Sequence, residues 1–200
     1  MAAYISFKEL RRREVEDIDY RIRCRQGRTG ILVMAPHGGN IEPGTSRIAD
    51  AIAGTEHAFY AFEGLKTGRN SRLHITSRRF DEPAGCRLAA DADTVLTIHG
   101  CGDSESLVFV GGLDRALAAN VWKALARDAF HLKESPRISG KHPQNICNRC
   151  RSGMGVQLEI SAGLRKRMFT YHPKCDPTQT DVFYNFVSAL KAVLANSHSP

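Results

Sequence analysis

Residues 30–54 read GILVMAPHGGNIEPGTSRIADAIAG. The opening "GILVMA" is a short apolar run of strand length. The closing "PGTSRIADAIAG" opens like a helix, with Pro and Gly ahead of Thr and Ser and an apolar repeat behind them. Between the two stand His37, two glycines and Glu42. His37 therefore sits where a strand ends and Glu42 where a helix begins. In open α/β sheets, that edge is where ligands bind.

The rest of the chain repeats this alternation. Strands are expected at 20–24, 30–35, 57–62, 72–75, 94–99, 107–110 and 155–160. Helices are expected at 43–53, 82–90, 112–128 and 179–195, after a short polar helix at 6–14. In "VFVGGLDRALAANVWKALARDAF" a strand, a Gly-Gly turn and an apolar repeat at Leu117, Val121 and Leu125 follow one another. The expected fold is a single α/β domain, 1–200, whose mixed, mostly parallel sheet carries helices on both faces. Residues 1–19 form an N-terminal segment, 20–195 the catalytic domain and 196–200 a loose tail. The stretch 134–153, rich in Pro, Gly, Ser and Asn, reads as a long functional loop.

Two hundred residues suffice for one sizeable core, and 42% hydrophobic with 8% aromatic content is ordinary for a globular chain. No apolar run reaches the roughly 20 residues that span a bilayer. The N-terminus lacks the apolar core of a secretion signal. The expected location is the cytoplasm, and the six cysteines read as thiols or metal ligands. The formal charge of +7 favours anionic partners.

A second histidine, His99 in "TVLTIHGCGD", also ends an apolar run and precedes a glycine. Two strands thus bring imidazoles to one sheet edge. His37, Glu42 and His99 make two imidazoles and a carboxylate, a recurrent catalytic zinc set that leaves a fourth position open. The glycines let the backbone turn sharply enough for His37 and Glu42 to reach one ion. Either histidine alone would read as a hydrogen-bonded core residue, but their matched placement favours the metal. Metal hydrolysis also needs a base. In "GVQLEI", Val156, Leu158 and Ile160 face one side of a strand, and Gln157 and Glu159 the other. Glu159 is then either a catalytic base or a member of a structural ion pair. Arg165, Lys166 and Arg167 follow, and Asn148 and Arg149 precede. Arginine grips carboxylates at two points, so Arg165, with Asn148 and Arg149, reads as a hold on substrate carboxylates. Lys166 and Arg167 read as solvated surface.

The motifs "APHGGNIEPGTS", "LHITSRRFDEP", "TIHGC", "VFVGGLD" and "NICNR…GVQLEIS…LR" together resemble the poly-γ-glutamate hydrolase family over about residues 20–168. That family includes phage γ-polyglutamate depolymerases and proteins labelled "phage-related replication protein". The resemblance implies a zinc carboxypeptidase-like α/β fold and cleavage of γ-glutamyl amide bonds in an anionic glutamyl substrate or polymer. It makes His37, Glu42 and His99 ligands of Zn2+ and Glu159 the general base. It also makes phage lysis a route out of the cell.

Two other readings stay open. A nucleic-acid-binding replication factor would use the positive charge. However, no helix-turn-helix, finger or aromatic-interleaved basic pattern supports it, and it leaves the His–Glu–His set without a task. Separately, Cys147-x-x-Cys150 with His172-x-x-Cys175 has the form of a structural zinc site, against free thiols as the alternative.

Overall fold

The structure is a computed structural model that describes residues 4–135, 139–171 and 175–197. Seven strands form one sheet: β1 (Tyr20–Arg25), β2 (Ile31–Gly39), β3 (Ala58–Gly64), β4 (Thr94–Cys101), β5 (Val108–Gly112), β6 (Leu132–Lys133) and β7 (Val156–Ser161). Their order is β1-β3-β2-β4-β7-β5-β6. Four of the six neighbouring pairs are parallel; β1–β3 and β5–β7 are antiparallel. The helices are α1 (Phe7–Leu10), α2 (Thr45–Ala53), α3 (Pro83–Asp91), α4 (Arg115–Arg127), α5 (Ala162–Met168) and α6 (Asp181–Asn196). A two-stranded ribbon joins β8 (Phe169–Thr170) to β9 (Thr178–Gln179).

Alternation along each strand builds two cores. Ile31, Val33 and Ala35 of β2 pack with α2, α4, α5 and α6 on one face, together with Val156, Leu158 and Ile160 of β7. Leu32 and Met34 face the other way, onto α1, α3 and the 3-10 turn Ile146–Asn148. The expected architecture, with helices on both faces, is the one observed. Among the described residues no helix is long and apolar enough to cross a membrane.

Topology places the site. From β2 the chain crosses by α2 to β3 on one side, then returns by α3 to β4 on the other side of β2. The crossovers run in opposite directions on opposite faces, so β2 and β4 diverge at their C-terminal ends, as at any such switch point. Pairing of β2 with β4 stops at Met34↔Thr97. Against β3, β2 carries one extra residue between Ala35 and Gly38, a β-bulge that re-aims His37.

Two expectations need correction. Residues 72–75 are not a strand: Asn70–Leu73 is a 3-10 turn. Leu73 and Ile75 are both buried, which produces the apolar alternation. But Asn70 bonds the backbone of Lys66 through both ends of its amide, curling the chain. Conversely, "AGLRKRM" forms α5, which the basic run concealed. Ser161 caps it by accepting from Leu164 N, and Leu164, Arg165 and Met168 are buried.

Helix α3 offers a test of local design. The Glu82 carboxylate caps it, accepting from Ala84 N at 3.0 Å and Gly85 N at 2.7 Å. It also accepts from the buried Tyr60 hydroxyl at 2.6 Å. Glu82→Ala removes the cap and leaves that hydroxyl unpaired, so denaturant unfolding should show a loss of about 2 kcal/mol or more. A loss below about 0.5 kcal/mol would refute the double role.

Candidate metal centre

The C-terminal ends of β2 and β4 bring His37 and His99 together, and the Gly38–Gly44 loop returns Glu42 between them. His37 Nδ1 is 3.1 Å from His99 Nδ1 and 3.2 Å from Glu42 Oε1. His99 Nδ1 is 3.7 Å from Glu42 Oε2. A tetrahedral ion with bonds of about 2.0–2.1 Å needs ligand atoms about 3.3 Å apart. The His37–His99 and His37–Glu42 separations lie close to that value, and Glu42 reaches the second imidazole with its other oxygen, so the three residues can gather around one ion held by two imidazoles and one carboxylate. Among the described residues this is the group of three or more potential ligands that comes together.

Further contacts orient the imidazoles. His37 Nε2–H donates to the Ile75 carbonyl at 2.6 Å, which leaves Nδ1 facing the centre. Ser77 Oγ lies 3.5 Å from His99 Nε2. Glu42 Oε2 accepts from Gly100 N at 2.8 Å, and the loop is closed by Glu42 N donating to His37 O at 2.9 Å. At the mouth His74, a residue the sequence reading missed, stacks on His37 with ring centroids 3.8 Å apart. Its Nε2 lies 3.7 Å from Glu42 Oε1. Its signal was the "LHITS" motif, read there as a strand.

The electrostatics favour binding a cation. Burial by itself would raise the Glu42 carboxyl, but His37, His99 and the Gly100 N–H outweigh it and hold the group at about 2. Burial pushes His99 down to about 3. Burial and the neighbouring His37 push His74 down to about 4. His37 moves up, because Glu42 overcomes the effect of its burial. Near neutral pH the centre therefore offers an ionised carboxylate beside the neutral imidazoles of His99 and His74, whereas His37, whose proton Glu42 stabilises, must release it to ligate an ion.

β7 lies next to β4 in parallel, with His99 in register with Glu159. Gln157 and Glu159 point to the face opposite Val156, Leu158 and Ile160, as the alternation predicts. Glu159 Oε1 accepts from Gln157 Nε2 at 2.9 Å, and Gln157 Oε1 accepts from Asn145 Nδ2 at 2.8 Å. Burial and the charge of Glu42 raise the Glu159 carboxyl to about 8, against the pull of His37 and Arg165. Among the described residues it has no ion-pair partner within 4.0 Å.

The remaining expected residues are placed differently. Arg165 is buried, and its guanidinium donates to three main-chain carbonyls. Asn148 Nδ2 donates to Gly140 O and His142 O, while its Oδ1 accepts from Leu113 N and Gly155 N. Both ends of that amide thus serve the backbone. Arg149 donates to Phe80 O and lies against Cys86. Lys166 and Arg167 are exposed. Cys147 and Cys150 lie in the core on the α3 side and donate to carbonyls. Cys175 is exposed, in the segment whose Asp176 pairs with Arg47 of α2, on the sheet's other face. The structure thus separates Cys175 from that pair, and His172 lies outside the described residues.

The folded protein holds the Glu159 carboxyl near 8 against 4.5 for the free group. Metal-free, the fold keeps a proton that the unfolded chain releases, so this group lowers stability as pH rises from about 4.5 to about 8. Glu159→Gln removes that dependence. In chelator its melting temperature should fall less than that of the unsubstituted protein between about pH 5 and about pH 8. Parallel declines would contradict the burial argument.

Comparison with known proteins identifies the fold and the family. The sequence model for poly-gamma-glutamate hydrolase matches residues 4–189. UPF0714 protein YndL of Bacillus subtilis (strain 168) is 36% identical over 200 residues, covering 98% of this chain and 79% of that one. A bacteriophage poly-gamma-glutamate hydrolase superposes with TM-score 0.95 at 29% identity, over 99% of both chains. A zinc-free structure of YndL gives 0.93 at 35% identity, over 100% of both. The chain belongs to the poly-gamma-glutamate hydrolase family and is an enzyme of that type.

Proposed function

We propose that the protein is a zinc-dependent hydrolase of γ-glutamyl amide bonds in poly-γ-glutamate or a related anionic polymer. The observation that carries this reading is the gathering of His37, Glu42 and His99 around one point, one strand from a buried carboxyl at Glu159. The family and the zinc-free state of its relative support zinc as the ion.

In this reading His37 and His99 would hold the ion through Nδ1 and Glu42 through its carboxylate. When bound, zinc would supply Lewis acidity to the amide carbonyl and lower the pKa of water. A bound cation would favour the ionised form of Glu159, and in that form it takes the proton of the attacking water and returns it to the leaving nitrogen. Water is thereby added across the C–N bond, giving a carboxylic acid and an amine. Gln157 and Asn145 hold the base from behind. The segment that supplies His74, the Ile75 carbonyl and Ser77 continues into Arg78 and Arg79. Both are exposed, and neither has an ion-pair partner among the described residues. Their place in the same segment as His74 and Ser77 makes them the cations we assign to the carboxylates of a glutamyl chain.

Chelation should abolish cleavage of γ-linked polyglutamate and zinc should restore it, with α-linked polyglutamate left intact. Activity that survives chelation would sink the proposal. Glu159→Gln should lower kcat by about 100-fold or more while zinc content is kept. A double substitution, Arg78→Ser with Arg79→Ser, should raise KM for the polymer several-fold, up to about tenfold, with kcat little changed. That effect should shrink at high salt. Equal KM at low salt would remove these arginines from the substrate path.

A further inference from the structure

Arg165, on α5, has a guanidinium that reaches the backbone of three separate segments. Nη1 donates to Pro43 O at 2.7 Å, Nη2 to Cys101 O at 3.0 Å and Nε to Ile160 O at 3.1 Å. Pro43 follows Glu42 and Ile160 follows Glu159. Cys101 lies two residues after His99. Between His99 and Cys101 the strand passes directly under the guanidinium: a side-chain carbon at Gly100 would stand 2.7 Å from Arg165 Cζ. The N–H of the same Gly100 donates to Glu42 Oε2. The contacts form a closed set, joining the ends of β4 and β7 and the loop that carries Glu42.

We propose that Arg165 is a positioning residue that fixes the three site-bearing segments against one another, and with them the metal-ligand cluster and Glu159. Only a guanidinium suits this position. Its nitrogens lie in one plane in a fixed fork and reach three carbonyls at once, whereas an ammonium is a single point on a flexible stem. Its charge also stands near both Glu42 and Glu159, which keeps two buried acids tolerable side by side. A residue so committed acts through the backbone rather than on the substrate. The proposal rests on the metal reading above, and its catalytic part also on the proposed hydrolysis.

The test measures zinc affinity of the full chain by competition with a chromophoric chelator, beside steady-state kinetics on γ-linked polyglutamate. Arg165→Lys keeps the charge and much of the volume, and should fold. It should bind zinc about 10–100-fold more weakly, as loss of supporting contacts around a metal does. It should lower kcat with KM nearly unchanged. In Arg165→Ala, added guanidinium ion at non-denaturing concentration should restore part of both. Val121→Ala, a cavity under α4, controls for general loss of stability and should leave zinc affinity unchanged. A folded Arg165→Lys protein with unchanged zinc affinity and a raised KM would overturn the proposal and make Arg165 a substrate clamp. An unsubstituted protein that binds no zinc would instead overturn the metal reading itself.

Discussion

The structure depends on the burial of one carboxylate. Glu42, 12% exposed at its side chain, sits between two imidazoles at the edge of the sheet. A charge so placed is tolerable only where other groups compensate it. The compensation comes from His37, His99 and the Gly100 N–H. Each requires something of the fold. His37 and His99 must end neighbouring parallel strands that diverge, which the switch point between β2 and β4 provides. The loop must return tightly, and Gly44 at φ 93 allows the turn into α2. Gly100 must lack a side chain, so that the Arg165 guanidinium can lie over it.

Around this centre the polar groups form layers. The Ile75 carbonyl orients His37, and Gln157, itself held by Asn145, contacts Glu159. The segment 74–82 is tied down at both ends, at Ile75 by His37 and at Glu82 by Tyr60 and the start of α3. Ser77 O also accepts from Ile146 N at 3.0 Å, which joins this segment to the 3-10 turn under Gln157. The wall of the site is therefore fastened to the same scaffold as its floor, as a catalytic constellation needs if its geometry is to hold.

Much of this was legible in the sequence because it obeys local rules. Apolar runs ending in His-Gly gave β2 and β4, and the helical repeat at Leu117, Val121 and Leu125 gave α4. Strand alternation put Glu159 on the face away from Leu158. The grouping of His37, Glu42 and His99 followed from two strand ends and one helix opening. What stayed hidden depends on contacts distant in sequence. The alternation of Leu73 and Ile75 imitates a strand, and nothing local shows that Ile75's carbonyl belongs to His37. His74 therefore escaped notice. Arg165 read as a carboxylate grip because its partners are main-chain carbonyls from residues 43, 101 and 160, which no residue type announces. The amide of Asn148 serves the backbone in the same way.

The most direct test of the central claim is anomalous diffraction at the zinc edge from crystals grown with zinc. One strong peak is expected about 2 Å from His37 Nδ1, His99 Nδ1 and a Glu42 carboxylate oxygen. A peak elsewhere with none among these three residues, or bonds made through Nε2 of His37 in place of the Ile75 carbonyl, would contradict the claim.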